Sequence, residues 1–201
     1  MFYPTDGPHG LTHDPFKAIV APRPIGWIST LDGQGRANLG PYSFFNAISD
    51  SPKAVIFSSG GLKDSAANAI ETGEFTCNFV TRRLTDAMNA SSAGLPHGVD
   101  EFEVAGLEKA DGVTVRCPRV ALAPAALECK VVAHLRPPTL AGGENDYIMV
   151  VGEVTGVHIA DDHIRDGRFD THKADPLMRA GYRDYAGITP LFALARPDDG
   201  A

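Results

Sequence analysis

Between residues 58 and 65 the chain reads Ser58-Ser59-Gly60-Gly61-Leu62-Lys63-Asp64-Ser65. The stretch offers hydroxyls, flexible backbone N–H groups and one cation. It follows a short apolar run, Ala54-Val55-Ile56-Phe57, and opens a helical pattern. A helix N-terminus adds the positive end of its dipole. These are the parts that hold a terminal phosphate without a metal. An ordinary capped loop with a solvated lysine would use the same residues. A second cluster combines Arg23-Pro24-Ile25-Gly26-Trp27-Ile28-Ser29-Thr30 with Asn38-Leu39-Gly40-Pro41-Tyr42-Ser43-Phe44-Phe45-Asn46. It mixes small polar groups with aromatics. A planar ring cofactor needs an apolar bed with donors and acceptors along its polar edge, and backbone groups beside Ser43 to Asn46 could supply that edge. Taken one at a time, Trp27, Phe44 and Phe45 serve equally well in a core and the hydroxyls in turns.

The elements that must position these residues are short. Residues 25–31 read as a strand, Asp32-Gly33-Gln34-Gly35 as a turn, and Arg36-Ala37-Asn38-Leu39 as its hairpin partner. Residues 54–57 form a buried strand after the breaker Asp50-Ser51-Pro52. A helix is predicted over 64–72, with Asp64 as N-cap and Gly73 as its stop. A strand over 74–80 and a helix over about 82–91 follow, then strands at 113–117, 126–136 and 147–159. The tail from Leu177 to Leu194 reads as one or two helical turns. Strands outnumber helices and come in adjacent runs, which predicts a mainly β antiparallel barrel with attached helices rather than a doubly wound fold.

Composition narrows the function. The 201 residues, 43% of them hydrophobic, are enough for one domain (1–201) with a sizeable core. The net charge of −7 argues against backbone-driven binding to nucleic acid or an anionic membrane. The start, Met1-Phe2-Tyr3-Pro4, lacks the basic and apolar regions of a signal peptide. No apolar run is long enough to span a bilayer. Cys77, Cys117 and Cys129 are odd in number and widely spaced, which reads as reduced thiols in the cytoplasm. Cys77, in a predicted strand, reads as a core thiol. The histidines form no HExxH and no cluster with the cysteines, and Asp161-Asp162-His163 reads as a solvated turn, so no metal is expected. Gly33-x-Gly35-x-x-Asn38 lacks the third glycine of the dinucleotide fingerprint and reads as a hairpin turn. There is no GxSxG elbow and no complete P-loop.

Three segments in register, Arg23 to Thr30, Asn38 to Asn46, and Lys63-Asp64-Ser65, resemble the flavin reductase-like family of FMN-binding split barrels. That family includes flavoredoxin and the reductase components of two-component monooxygenases. The resemblance covers at least Phe16 to Asn89. It departs from the usual pattern at Gly40, where the family often has Ala, and at Ser65, where it often has Thr. The resemblance implies a six-stranded split barrel and a homodimer with FMN at or near its interface. It further implies that Trp27, Ser29, Thr30, Asn38, Ser43, Phe44, Phe45 and Asn46 line the flavin, and that Ser58, Ser59, Lys63 and Ser65 hold its phosphate. Arg179 to Tyr185 resembles a C-terminal segment that can approach the flavin in this family; an exposed tail would look the same. The chemistry would belong to the flavin, with NADH or NADPH as hydride donor and no catalytic acid or base assigned. The implied activities are an NAD(P)H-dependent flavin reductase, a flavoredoxin-like electron carrier, with a monooxygenase or other redox protein as partner, or an FMN-binding module without turnover.

Overall fold

A computed structural model describes residues 1–188, 190–194 and 196. Its centre is one antiparallel sheet of seven strands: β1 Gly26–Leu31, β2 Ala37–Tyr42, β3 Phe45–Asp50, β4 Lys53–Gly60, β5 Glu74–Phe79, β6 Ala125–Leu135 and β7 Tyr147–Ile159. Their order across the sheet is β2-β1-β5-β6-β7-β4-β3. The two edge strands, β2 and β3, are therefore consecutive in the chain, joined only by Ser43 and Phe44. Three Cα steps of 3.8 Å span at most ~11 Å, so the sheet must curl until its edges nearly meet. The Ser58 N–H bonds the Phe44 carbonyl at 2.8 Å, which carries the β3–β4 ladder into the connection between the two edges. The result is the expected mainly β split barrel, with one strand more than the six that were implied.

The hairpin β1–β2 forms where the turn chemistry placed it. Asp32 Oδ1 accepts the Gln34 and Arg36 amides, both at 2.9 Å, and Gly35 takes φ +81°. Helix α1, Asp64–Thr72, buries Ser65, Ala66, Asn68 and Ala69, the i, i+1, i+3, i+4 set of a single helical face. It ends at Gly73, whose φ of +75° is the left-handed stop glycine tolerates. Asp64 proves to be the first helical residue; Lys63 is the N-cap, and no side chain caps the helix.

Both faces of β1 are covered, because neighbouring positions point to opposite sides. Ile28 faces a cluster inside the curl with Val55, Phe57, Phe75, Val150 and the α1 alanines Ala66 and Ala69. Trp27 faces a second cluster with Leu39, Met88, Phe102 and Val120. Phe57 and Phe75 meet edge-on at 5.3 Å. A side chain at Gly152 would collide with Phe75, its Cβ falling 2.5 Å from the ring.

Several expected elements differ. Residues 113–117 form no strand. Glu128 on β6 accepts the Val113 and Thr114 amides, the donors a ladder would need, and holds the segment as a loop. The 82–91 helix is a 3₁₀ turn, Arg82–Leu84, followed by α2, Thr85–Ala90. The tail is not helical: Met178–Arg179 pairs with Arg23–Pro24 on one side and Tyr185–Ala186 on the other, through a turn at Gly181 and Tyr182. Thr189, within that tail, lies outside the described residues. No helix among the described residues is long and apolar enough to cross a membrane.

Candidate functional site

The C-terminal half of β2 borders two cavities that share Pro41 and Ser92 in their walls. Together they form one groove along residues 38–43, ~17 Å at ~3.4 Å per strand residue. One end, about 360 Å³, lies between β2, the start of α1 and the loop after α2, with Asn38, Gly40, Lys63, Ser65, Ser91 and His97 in its wall. The other, about 230 Å³, is bounded by Lys17, Arg23, Ile25, Ser43, Met88, Arg179, Tyr182 and Tyr185.

At the first end α1 presents the unpaired N–H groups of its opening turn, uncapped by any side chain. Lys63 stands exposed beside them. Behind these donors runs a buried network. Ser65 Oγ bonds Asn38 Oδ1 at 2.7 Å, and Asn38 Nδ2 donates to both Glu101 oxygens at 3.0 and 2.9 Å. Glu101 also accepts the Leu39 amide at 2.9 Å, an edge-strand donor with no ladder partner. Burial raises the Glu101 carboxyl above its ordinary range, against the opposing pull of these hydrogen bonds. Tyr42 packs beside Ser65 and Ser59, and burial pushes its phenol upward, which keeps it a neutral hydroxyl. The Asp64 carboxylate is taken by His97, Nδ1 to Oδ1 at 3.1 Å. Arg36 lies 3.0 Å from the other ring nitrogen. Arginine can only donate, so Nε2 accepts and a neutral His97 carries its proton on Nδ1, toward Asp64.

The donor set fits a phosphate at this end, and the apolar Ile25, Pro41 and Met88 fit a flat ring at the other. Of the expected site residues, Asn38, Ser43, Lys63 and Ser65 line the groove. The other eight are not among its lining residues. Trp27, Ser29 and Thr30 have no accessible surface and stand behind the wall. Trp27 Nε1 bonds Ser91 Oγ at 2.9 Å, which ties β1 to the loop that closes the groove. Ser59 is also wholly buried, its hydroxyl on the Gly61 carbonyl, where it shapes the loop. Ser58 extends the β3–β4 ladder through its amide. Phe44 packs on Tyr147 at 5.7 Å and lies under Lys17 and Arg23 of the ring end, Phe45 lies over Gly26 and borders a different cavity, and Asn46 is exposed on β3. In the single chain Trp27, Ser29, Thr30 and Ser59 are thus sealed behind the wall, while Ser58, Phe44, Phe45 and Asn46 keep surface outside the groove's lining. What the sequence reading missed is the opposite wall, Ser91 to His97, although its small polar run Ser91-Ser92-Ala93-Gly94 directly after a predicted helix was a usable signal.

The thiols take no part. Burial pushes Cys77 and Cys117 up to about 12, and Cys129 is raised likewise, so all three remain protonated and inert.

Residues 20–183 match the model of the flavin reductase like domain. The chain belongs to the flavin reductase-like family. A Deinococcus radiodurans protein is 36% identical over 203 residues, covering 94% of this chain and 86% of that one. Nitrilotriacetate monooxygenase component B from Bacillus cereus is 25% identical, superposes with a TM-score of 0.87, and is covered to 98%, as is 96% of this chain. Flavoredoxin of Desulfovibrio vulgaris shares the fold, with a TM-score of 0.79 at 20% identity over 98% of this chain and 99% of its own. Within this flavin reductase-like barrel, the match spans both ends of the groove, from Arg23 to Arg179.

Proposed function

We propose that the chain is an NAD(P)H-dependent flavin reductase that binds FMN along the β2 groove. The observation that carries this reading is the uncapped start of α1 beside Lys63, at one end of a groove whose other end is apolar and cationic. Lys63 and the first-turn amides, that of Ser65 among them, hold the phosphate; Ile25, Pro41 and Met88 bed the ring, with Ser43 near its polar edge. Bound FMN supplies hydride and single-electron chemistry. The protein's own residues bind and orient; Arg23 and Arg179 place positive charge where a reduced ring gains negative charge. No side-chain acid, base or thiol is assigned a proton transfer.

The purified protein is expected to be yellow or to turn so with FMN, and to oxidise NADH or NADPH in steady state when flavin is supplied. FMN binding without nicotinamide oxidation, but with reduction by a partner reductase, would replace the reductase reading with an electron carrier. Reduction by neither would leave a binding module. A monooxygenase or other redox protein is the proposed acceptor, in the cytoplasm, where the three free thiols stay reduced.

A homodimer is part of the same proposal. A cavity of about 440 Å³ walled by Ile25, Phe45, Phe79, Leu127, Phe169 and Leu177 is almost wholly apolar. Leu191, Phe192 and Leu194 are largely exposed in the single chain, and exposed apolar surface of this kind is characteristic of interfaces. Light scattering is expected to give twice the 21.3 kDa chain mass; a stable monomer that still binds FMN would remove the dimer from the proposal.

A further inference from the structure

At the ring end of the groove two arginines face each other directly. Arg23 and Arg179 are cross-strand partners in the small antiparallel sheet, and Lys17 lines the same cavity. Like charges directly opposite one another destabilise a ladder. Here burial adds to the cost, because Arg23 is only 7% exposed. Among the described residues no carboxylate forms an ion pair with any of the three. The chain as a whole carries −7, so a cavity with three cations and no acid is not a consequence of composition. Burial and the nearby Arg179 both lower the Arg23 pKa, as expected of a cation lacking a counter-charge.

The two guanidiniums are held differently. Arg23 donates to the carbonyls of Lys17, Val20 and Ala180 and is fixed by them. Arg179 stacks on the Tyr185 ring at 4.4 Å and spends one nitrogen on the Tyr182 carbonyl, which leaves the rest of its planar fork free. The walls beside them, Ile25, Pro41, Met88 and the two tyrosines, suit a flat apolar body. The volume, about 230 Å³, lies below the ~300–1,000 Å³ of sites for larger ligands.

We propose that this end of the groove receives the carboxylate of a small planar acid, with Arg179 making the forked contact and Arg23 and Lys17 supplying a fixed positive field. A guanidinium fork matches a carboxylate bidentately, and the bound anion cancels the repulsion between the two arginines. The proposal deepens the flavin reductase reading: the acid uses the walls assigned to the flavin ring, so it competes with FMN for this end of the groove and acts as an effector of flavin loading.

Calorimetric titration with benzoate and with its neutral analogue benzamide tests it, on FMN-saturated and on flavin-free protein. Benzoate is expected to bind the flavin-free protein at least tenfold tighter than benzamide, and FMN saturation is expected to weaken it. Arg179→Gln should weaken benzoate by roughly ten- to a hundredfold, the equivalent of one charge-assisted contact, and change benzamide little; Arg179→Lys should fall between. Equal affinity for the two probes in the unmodified protein would overturn the proposal without any variant. So would an undiminished benzoate preference in Arg179→Gln. Silence toward benzoate with Arg179-dependent binding of adenosine 2′,5′-bisphosphate would overturn it in favour of a dinucleotide phosphate. If FMN fails to bind but flavin-free protein still prefers benzoate through Arg179, the reductase reading falls and the acid site stands.

Discussion

Glu128→Gln is expected to lower the melting temperature by about 10 °C at neutral pH while leaving the secondary structure intact below the transition. Glu128 has no accessible surface. Its two oxygens accept the Val113 amide at 2.7 Å, the Thr114 amide, the Thr114 hydroxyl at 2.6 Å and His158 Nε2 at 2.5 Å. The space around it is closed: a Cβ at Gly156 would fall 3.0 Å from Oε2. Burial by itself would raise the carboxyl pKa, but these hydrogen bonds outweigh it and hold the group at about 2. Glutamine keeps the shape but turns an N–H₂ toward donors, so buried groups lose their acceptor. Breaking such a cluster costs ~3–5 kcal/mol, and ~1 kcal/mol moves the transition of a chain this long by ~2–4 °C.

The pH dependence has a fixed sign. A carboxyl whose pKa is depressed on folding stabilises fully above its unfolded value of ~4.3, and that stabilisation is lost as pH falls through the folded value of about 2. The depression corresponds to about 3 kcal/mol. The melting temperatures of parent and variant should therefore converge between pH ~4.5 and pH ~2. A difference of less than ~2 °C at neutral pH, or a gap that stays constant down to pH ~2, would show that Glu128 does not hold the 111–116 loop.

Lys63→Ala is expected to weaken FMN binding by roughly ten- to a hundredfold, the ~1.5–3 kcal/mol of a charge-assisted hydrogen bond at ~1.4 kcal/mol per decade. Lys63 is exposed and enters none of the ion pairs among the described residues, so its ammonium is available to a ligand. The one carboxylate beside it, Asp64, is engaged by His97. Its removal should leave the flavin-free melting temperature nearly unchanged, since exposed substitutions cost within ~0.5 kcal/mol. Riboflavin, which has no phosphate, should bind parent and variant alike, and rising salt should narrow the FMN difference. Paired titrations with both flavins measure the effect. Equal losses for FMN and riboflavin would mean that Lys63 acts through the fold or the ring, and the phosphate assignment would be withdrawn.

Where signals were local, the sequence by itself determined the structure. The alanine-rich face ending in Gly73 set α1 at 64–72, and the Asp32 to Gly35 turn set the β1–β2 hairpin; each depends on residues within a few positions of one another. The motif segments likewise marked the neighbourhood of the groove, with Asn38, Ser43, Lys63 and Ser65 on it. Nothing in the motif said which side of β1 would be covered. Trp27, Ser29 and Thr30 sit within three positions of each other, yet all are sealed away because that strand is packed on both faces. Strand β3 gave no signal, since its residues are mostly exposed and do not alternate. The 113–117 segment has β-forming residues, but Glu128 takes its amides, and a side chain that distant in sequence leaves no local trace. The same holds for Arg23 and Arg179. They stand at opposite ends of the chain, and only the pairing of two-residue strands sets them face to face, where their shared charge calls for an anion.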